Sequence, residues 1–292
     1  MSATAAERWA KARSFHHSSY SAQRIAAQRE QRVTVCLPAR ECAETIGEIV
    51  GGLLELRAAG VLDEVLVVDA DSADGTAAVA AGAGAVVRQE AELMPALGPV
   101  LGKGDAMWRA LSVIDSELVC FLDADTEAFR PHFATGLLGA LVCEPNVSFV
   151  KAFYRRPFSH GEMHVPDGGG RVNHLLARPA LALFYPELAG VRQPLAGEVA
   201  ARRELLGALP FATGYGVEIA MLIDAWREVG LDGIAQVDLE EHRNRHQPLA
   251  ALTPMAETVL ATIASRMERE GRLAGVGGAP VERPPLASVG VA

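Results

Sequence analysis

The chain has 292 residues, half of them hydrophobic and 22% charged, which is enough apolar material for one large or two small domains. Its 27 Lys and Arg against 36 Asp and Glu leave a net charge of −9, which excludes bulk binding to nucleic acid or to an anionic membrane surface. Any phosphate recognition must therefore come from a local group of basic residues.

The first thirty residues are polar and basic with scattered apolar positions (Trp9, Phe15, Tyr20, Ile25), and predict one or two amphipathic helices packed outside the main core. His16 and His17 read there as surface or capping residues. The N-terminal stretch lacks the apolar region of a secretory signal, and no apolar run approaches the roughly 20 residues of a membrane span, so a cytoplasmic, soluble protein is expected. Cys36, Cys42, Cys120 and Cys143 have no C-x-x-C spacing and read as buried free thiols.

From residue 31 onward, short apolar runs alternate with helical spacing. Strands are predicted at Val33–Leu37, Val65–Val68, Ala85–Val87 and Leu118–Leu122, with helices at Thr45–Leu56, Thr76–Ala81 and Gly104–Ile114. Buried strands alternating with helices predict an α/β fold, a Rossmann-like and mostly parallel sheet with helices on both faces. The second half predicts strands at Val147–Tyr154 and Ile234–Leu239. Helices are predicted from Val172, at Ala200–Leu206, at Val217–Val229 and at Leu252–Glu270, and a flexible Gly/Pro-rich tail from Leu273. The expected organisation is an N-terminal helical segment (1–30), a nucleotide-binding half (31–126), an acceptor-binding half (127–272) and the tail (273–292).

In a parallel sheet the ligand lies beyond the carboxyl ends of the strands. Three predicted strand ends carry polar clusters: Pro38 to Glu41, Asp69 to Ser72, and Asp123 to Asp125. Asp123 and Asp125, with Ala124 between them, put two carboxylates on one rim, suited to a Mg²⁺ or Mn²⁺ ion that also grips a diphosphate; solvated turn acids are the competing reading. Gly102, Lys103, Gly104 offers close backbone approach and a point charge, without the eight-residue P-loop pattern of an ATPase. Gly168, Gly169, Gly170, Arg171 before a helix suits a phosphate or carboxylate, with Asn173 able to donate; a plain loop is the alternative. Glu218 stands in the first turn of an apolar helix, where an acid also simply complements the helix dipole. His242, in His242, Arg243, Asn244, Arg245, has an imidazole able to complete a metal shell begun by Asp125.

The segments PARECAETI, DADSADGT, GKGDAMWRAL, FLDAD, VKAFYRRP, GGGRV, QPLAGE, GYGVEI and HRNR, in this order from about Val33 to Pro248, resemble the glucosyl-3-phosphoglycerate synthases among the GT-A glycosyltransferases. The resemblance implies retaining transfer of glucose from UDP-glucose or a related donor to D-3-phosphoglycerate, with Mg²⁺ or Mn²⁺ and a homodimeric assembly. It implies a donor site of Pro38, Ala39, Arg40, Ser72, Lys103, Asp123 and Ala124, and an acceptor site of Gly170, Arg171, Val172, Asn173 and Asn244. Asp125 and His242 would hold the metal, and Glu218, Lys103 and Asp125 would serve catalysis, Glu218 at the sugar hydroxyls. The usual Asn-Glu after the first strand is Glu41, Cys42 here, and Asn173 stands where the family usually has Thr. The first departure leaves the donor base open. It makes a mannosyl-3-phosphoglycerate synthase using GDP-mannose the alternative, with a sugar-phosphate nucleotidyltransferase behind it.

Overall fold

The computed structural model describes residues 4–160, 163–243, 248–275 and 281–289. Helix α1 (Ala5–Ala12), capped by a Thr4–Glu7 capping box, leads into a short strand β1 (Ser14–His16) and helix α2 (Ala22–Gln28). Then come β2 (Val33–Ala39), α3 (Ala43–Ala58), β3 (Glu64–Asp69), α4 (Thr76–Ala83), β4 (Val86–Gln89), α5 (Lys103–Ala110) and β5 (Leu118–Phe121). These follow the predicted alternation. The second half adds α6 (His132–Cys143), β6 (Phe149–Arg155), a hairpin of β7 (Phe158–His160) and β8 (Met163–Val165), α7 (Arg178–Phe184), β9 (Val199–Arg202), α8 (Arg203–Ala208), β10 (Phe211–Ala212), α9 (Val217–Val229), β11 (Ile234–Glu241), α10 (Leu249–Arg269) and β12 (Glu282–Arg283).

Eight strands form one sheet in the order β1-β11-β6-β9-β5-β2-β3-β4, and all pairings are parallel except those of β9. Alternate side chains of each strand enter opposite layers. Val35, Leu37, Val65 and Val67 pack with α3 and α6, whereas Cys36, Leu66 and Val68 pack with α5, α9 and α10. Burial on both faces explains why the strands read as unbroken apolar runs. Cys36 and Cys120 are fully buried free thiols, pushed up from their ordinary pKa by that burial. No helix among the described residues is long and apolar enough to cross a membrane.

Three expectations are corrected, and one helix was not foreseen. The N-terminal segment is not confined to the outside: β1 adds an edge strand parallel to β11, Ile25 is fully buried, and the Trp9 indole donates to the carbonyls of Leu231 (2.9 Å) and Ile234 (3.1 Å). Ala200–Leu206 is not one helix, because its first residues lie in β9, antiparallel between β5 and β6. Helix α6 gave no amphipathic signal because Phe133 through Leu141 are all buried, leaving no polar face to read. The segment after residue 280 does not trail away: β12 pairs with β10, Trp108 donates its indole N–H to the Pro284 carbonyl (2.9 Å), and Leu286 is buried.

Candidate active site

The carboxyl ends of β2, β3, β5, β6 and β11 share one rim. The N-terminal start of β9 joins them, because β9 runs the other way: its Val199 lies opposite Phe121 of β5. That reversal sets Glu198 beside the Asp123 turn. A Cβ on Gly197 would sit 2.3 Å from Asp123 Oδ1, so the carboxylate fits only against a glycine.

At this rim Lys103, the first residue of α5, donates to Asp123 Oδ1 (2.6 Å) and pairs with Glu218 Oε1 (3.0 Å). Burial would lower the ammonium pKa, but the carboxylates of Asp123 and Glu218 outweigh it and hold the group well above its ordinary value. The loop before Lys103 is tightly seated. Gly104 N–H donates to the Thr213 carbonyl (3.0 Å), and a Cβ on Gly104 would lie 1.8 Å from Ala212 O. Just behind, Asp105 is fully buried and accepts from Arg283 through Nε (2.7 Å) and Nη2 (2.8 Å), from Arg109 Nε (3.2 Å) and from Leu101 N–H (2.9 Å). The C-terminal segment therefore braces the loop that carries Lys103.

Behind Asp123 lies a buried pair. His242 Nε2 is 2.9 Å from Glu198 Oε1 and 3.1 Å from Thr126 Oγ1, its ring stacks on Tyr154, and the Tyr154 hydroxyl donates to Glu198 Oε2 (2.7 Å). Burial pulls the imidazole pKa down, yet the neighbouring Glu198 carboxylate brings it above its usual value. Glu198 is held at about 2, since His242 and the Tyr154 hydroxyl outweigh the effect of burial. Asp125 is raised, first by burial and then by the charge of Asp123.

The residues fit a divalent cation. Ligand atoms of Asp123, Glu198 and His242 all lie within 4.8 Å of one another. Glu198 Oε1 and His242 Nδ1 are buried without a hydrogen bond. The carboxylates of Asp123, Asp125, Glu198 and Glu218 gather at this rim, with Lys103, Lys151, Arg156 and His242 as the neighbouring cationic groups. Hard oxygen donors with one imidazole suit Mg²⁺ or Mn²⁺. The trio that the fold brings together thus contains Glu198, which the sequence reading missed, while Asp125 faces the open side.

Two cavities meet here. One, about 520 Å³, runs from Pro38, Ala39 and Arg40 past Glu90 to Lys103 and the Asp123–Asp125 turn, and takes in Ala124. The other, about 250 Å³, is lined by Gly170, Arg171, Val172, Asn173, Arg156 and Glu218. Lys103, Asp123, Asp125 and Tyr215 line both. Arg171 reaches the second cavity with its guanidinium 5.2 Å over the Phe158 ring, and Gly170 holds φ +65° just before it. Asn173 Nδ2 donates to the Arg192 carbonyl (3.3 Å), and a π-helical turn from Asn173 to Ala177 precedes α7.

One expected donor residue falls elsewhere. Ser72 lines neither cavity; its hydroxyl accepts from Glu41 N–H (2.9 Å), and its N–H donates to Asp69 Oδ2 (3.1 Å), so it shapes the loop under the donor cavity. Asn244 lies outside the described residues. His242 lines neither of these two cavities and is buried beneath the rim. Glu90 and Tyr215 were not singled out, since an acid after an edge strand and a tyrosine between glycines carry no motif of their own.

A mostly parallel sheet with an acidic rim and two cavities joined at it defines the class, a GT-A glycosyltransferase. The sequence profile of Glycosyl transferase family 2 matches residues 34–168. Glucosyl-3-phosphoglycerate synthase of Petrotoga mobilis is 41% identical over 267 residues, covering 89% of this chain and 82% of that one. The crystal structure of mannosyl-3-phosphoglycerate synthase from Rubrobacter xylanophilus superposes with a TM-score of 0.90 at 44% identity, covering 98% of each chain. Glucosyl-3-phosphoglycerate synthase from Mycobacterium tuberculosis, in complex with Mn²⁺, UDP-glucose and phosphoglyceric acid, gives a TM-score of 0.84 at 37% identity, covering 94% of this chain and 98% of that one. The chain belongs to the glucosyl-3-phosphoglycerate synthase family.

Proposed function

We propose that this enzyme transfers glucose from UDP-glucose to D-3-phosphoglycerate with retention of configuration. The observation that carries the reading is the junction of the two cavities at Lys103, Asp123 and Asp125. The larger cavity accommodates the nucleotide sugar, with the base toward Pro38, Ala39 and Arg40 and the diphosphate at Lys103. The smaller accommodates the acceptor, whose phosphate and carboxylate meet Arg171 and the backbone of Gly170 to Asn173. Glu218, in the acceptor cavity and paired with Lys103, faces the sugar hydroxyls at the junction.

Asp125 and His242, supported by Asp123 and Glu198, would hold Mg²⁺ or Mn²⁺, which when bound neutralises charge on the departing diphosphate. Lys103 carries its proton throughout and places a fixed positive charge at the same oxygens. With donor and acceptor meeting on one side of the transferred sugar, retention requires no protein nucleophile. The relatives support this reading through the ligands of the M. tuberculosis complex.

A second reading, mannose transfer from GDP-mannose, is favoured by the likeness to the R. xylanophilus mannosyl enzyme. Incubation with Mg²⁺, D-3-phosphoglycerate and, separately, UDP-glucose, GDP-glucose and GDP-mannose decides between them by nucleoside diphosphate release. UDP-glucose should give the fastest acceptor-dependent release; GDP-mannose in first place selects the second reading, and no acceptor-dependent release with any donor overturns both. Arg171→Ala should raise the acceptor KM far more than the donor KM, because it removes a charged partner of a bound anion. Equal effects on both would refute its placement.

A further inference from the structure

A second group of metal-type ligands lies at the sheet edge, outside both cavities. His16 ends β1 and His17 follows it; the parallel register puts His16 beside Asp238 of β11. The register of β11 against β6 slips between Asp238 and Glu241, and Glu240 sits in that irregularity at φ +67°. A glutamate rarely adopts this conformation. It turns the Glu240 carboxylate back onto both histidines, with Oε1 3.2 Å from His17 Nε2 and 3.7 Å from His16 Nε2. All three ligand atoms lie within 4.8 Å of one another.

The rings are held. His17 stacks on His132 at 4.1 Å, and His132 donates Nε2–H to the Leu239 carbonyl (3.1 Å). The His16 ring lies tilted by 34° against His17, with 4.4 Å between ring centroids. Its Nδ1 lies 2.7 Å from Ser18 Oγ and 3.2 Å from Ser18 N. Nδ1 accepts from Ser18 N–H, so a cation at Nε2 requires the ring proton to move to Nδ1, where Ser18 Oγ can accept it, the outer-shell arrangement that fixes ligating imidazoles. His17 Nε2 is buried and has no hydrogen bond, although Glu240 is near: the distance suits an ion pair and the direction does not suit a hydrogen bond. A cation between the three atoms satisfies it.

We propose that His16, His17 and Glu240 form a second cation site, for Zn²⁺ or a similarly borderline divalent transition metal, separate from the centre at Asp125 and His242. Zinc bonds of about 2.0–2.1 Å in tetrahedral array place ligand atoms roughly 3.3 Å apart, close to the 3.2 and 3.7 Å from Glu240 Oε1 to the two imidazoles. Two imidazoles to one carboxylate disfavour Mg²⁺, which prefers oxygen. Glu240 and His16 are half exposed, leaving room for water as fourth ligand. An ion there ties edge strand β1 to the end of β11, two residues before His242.

The test is zinc titration of the EDTA-stripped full chain against a chromophoric chelator, with Co²⁺ absorption as second readout. Asp123→Asn/Asp125→Asn removes two carboxylates of the first centre and should retain one zinc per chain with a tetrahedral Co²⁺ spectrum. His16→Gln and Glu240→Gln, both at exposed positions, should weaken that binding by at least about tenfold. Circular dichroism checks that each variant is folded. Unchanged affinity and stoichiometry in His16→Gln and Glu240→Gln overturn the proposal, as does a six-coordinate Co²⁺ spectrum in Asp123→Asn/Asp125→Asn.

Discussion

Arg283→Ala should destabilise the chain and impair donor binding together, because one side chain braces both the C-terminal segment and the Lys103 loop. The fully buried Asp105 carboxylate accepts two hydrogen bonds from Arg283, at 2.7 and 2.8 Å, and keeps Arg109 and Leu101 N–H as partners when they are lost. Hydrogen bonds to charged groups contribute about 1.5–3 kcal/mol each, and stripping one partner from a buried pair costs about 3–5 kcal/mol. The remaining Arg109 places this case lower, at about 2–3 kcal/mol. At roughly 2–4 °C per kcal/mol for a chain of this size, Tm should fall by about 5–10 °C.

The same pair sets a pH signature. Burial alone would raise the Asp105 pKa, but the Arg283 hydrogen bonds and the Leu101 N–H hold it below the usual carboxylate value. A depressed folded pKa gives stability that is full above the unfolded value of about 3.9 and is lost as pH falls through the lower folded value. The Tm gap between wild type and Arg283→Ala should thus be constant above about pH 5 and close in stronger acid. Thermal melts followed by circular dichroism, with donor KM at neutral pH, read both effects. A gap below about 2 °C at pH 7, or one that persists unchanged at pH 3, would refute the bracing role.

Asp125→Asn should abolish turnover with the circular dichroism spectrum unchanged; wild-type activity in that variant removes Asp125 from the metal site. Glu198→Gln should weaken Mn²⁺ binding by about 10–100-fold, read by electron paramagnetic resonance of free Mn²⁺, because the carboxylate beside His242 is lost; equal affinity would make Glu198 a packing residue. Gly104→Ala should cost about 1–3 kcal/mol and raise donor KM, since its Cβ would meet the Ala212 carbonyl at 1.8 Å. A fully stable, fully active variant would show that the Lys103 loop tolerates displacement.

Much of the donor side was legible in the chain. The strands ending at Ala39 and Asp69 and the one leading to Asp123 are apolar runs closed by polar residues, and a parallel sheet brings such ends to one rim whatever else surrounds them. Lys103 and Arg171 were legible because glycines beside a basic residue mark places where backbone nears an anion. The weight on His242 and Asn173 came from their order among resembling segments, since a lone histidine or asparagine carries no chemistry by itself.

The tertiary structure decided the rest. Glu198 has no motif; it reaches the rim only because β9 runs antiparallel, and Ala200–Leu206 reads as a helix when strand direction is unknown. The dense burial of α6 erased the periodicity that announces a helix, and the C-terminal segment looked loose because its partners, Asp105 and Thr213, stand many residues away. The sequence by itself determined which segments are strands or helices wherever one face is polar or a run is wholly apolar, because those are local patterns. Strand direction, the pairing of buried charges and the meeting of His16, His17 and Glu240 depend on contacts between distant residues, and only the folded chain supplies those.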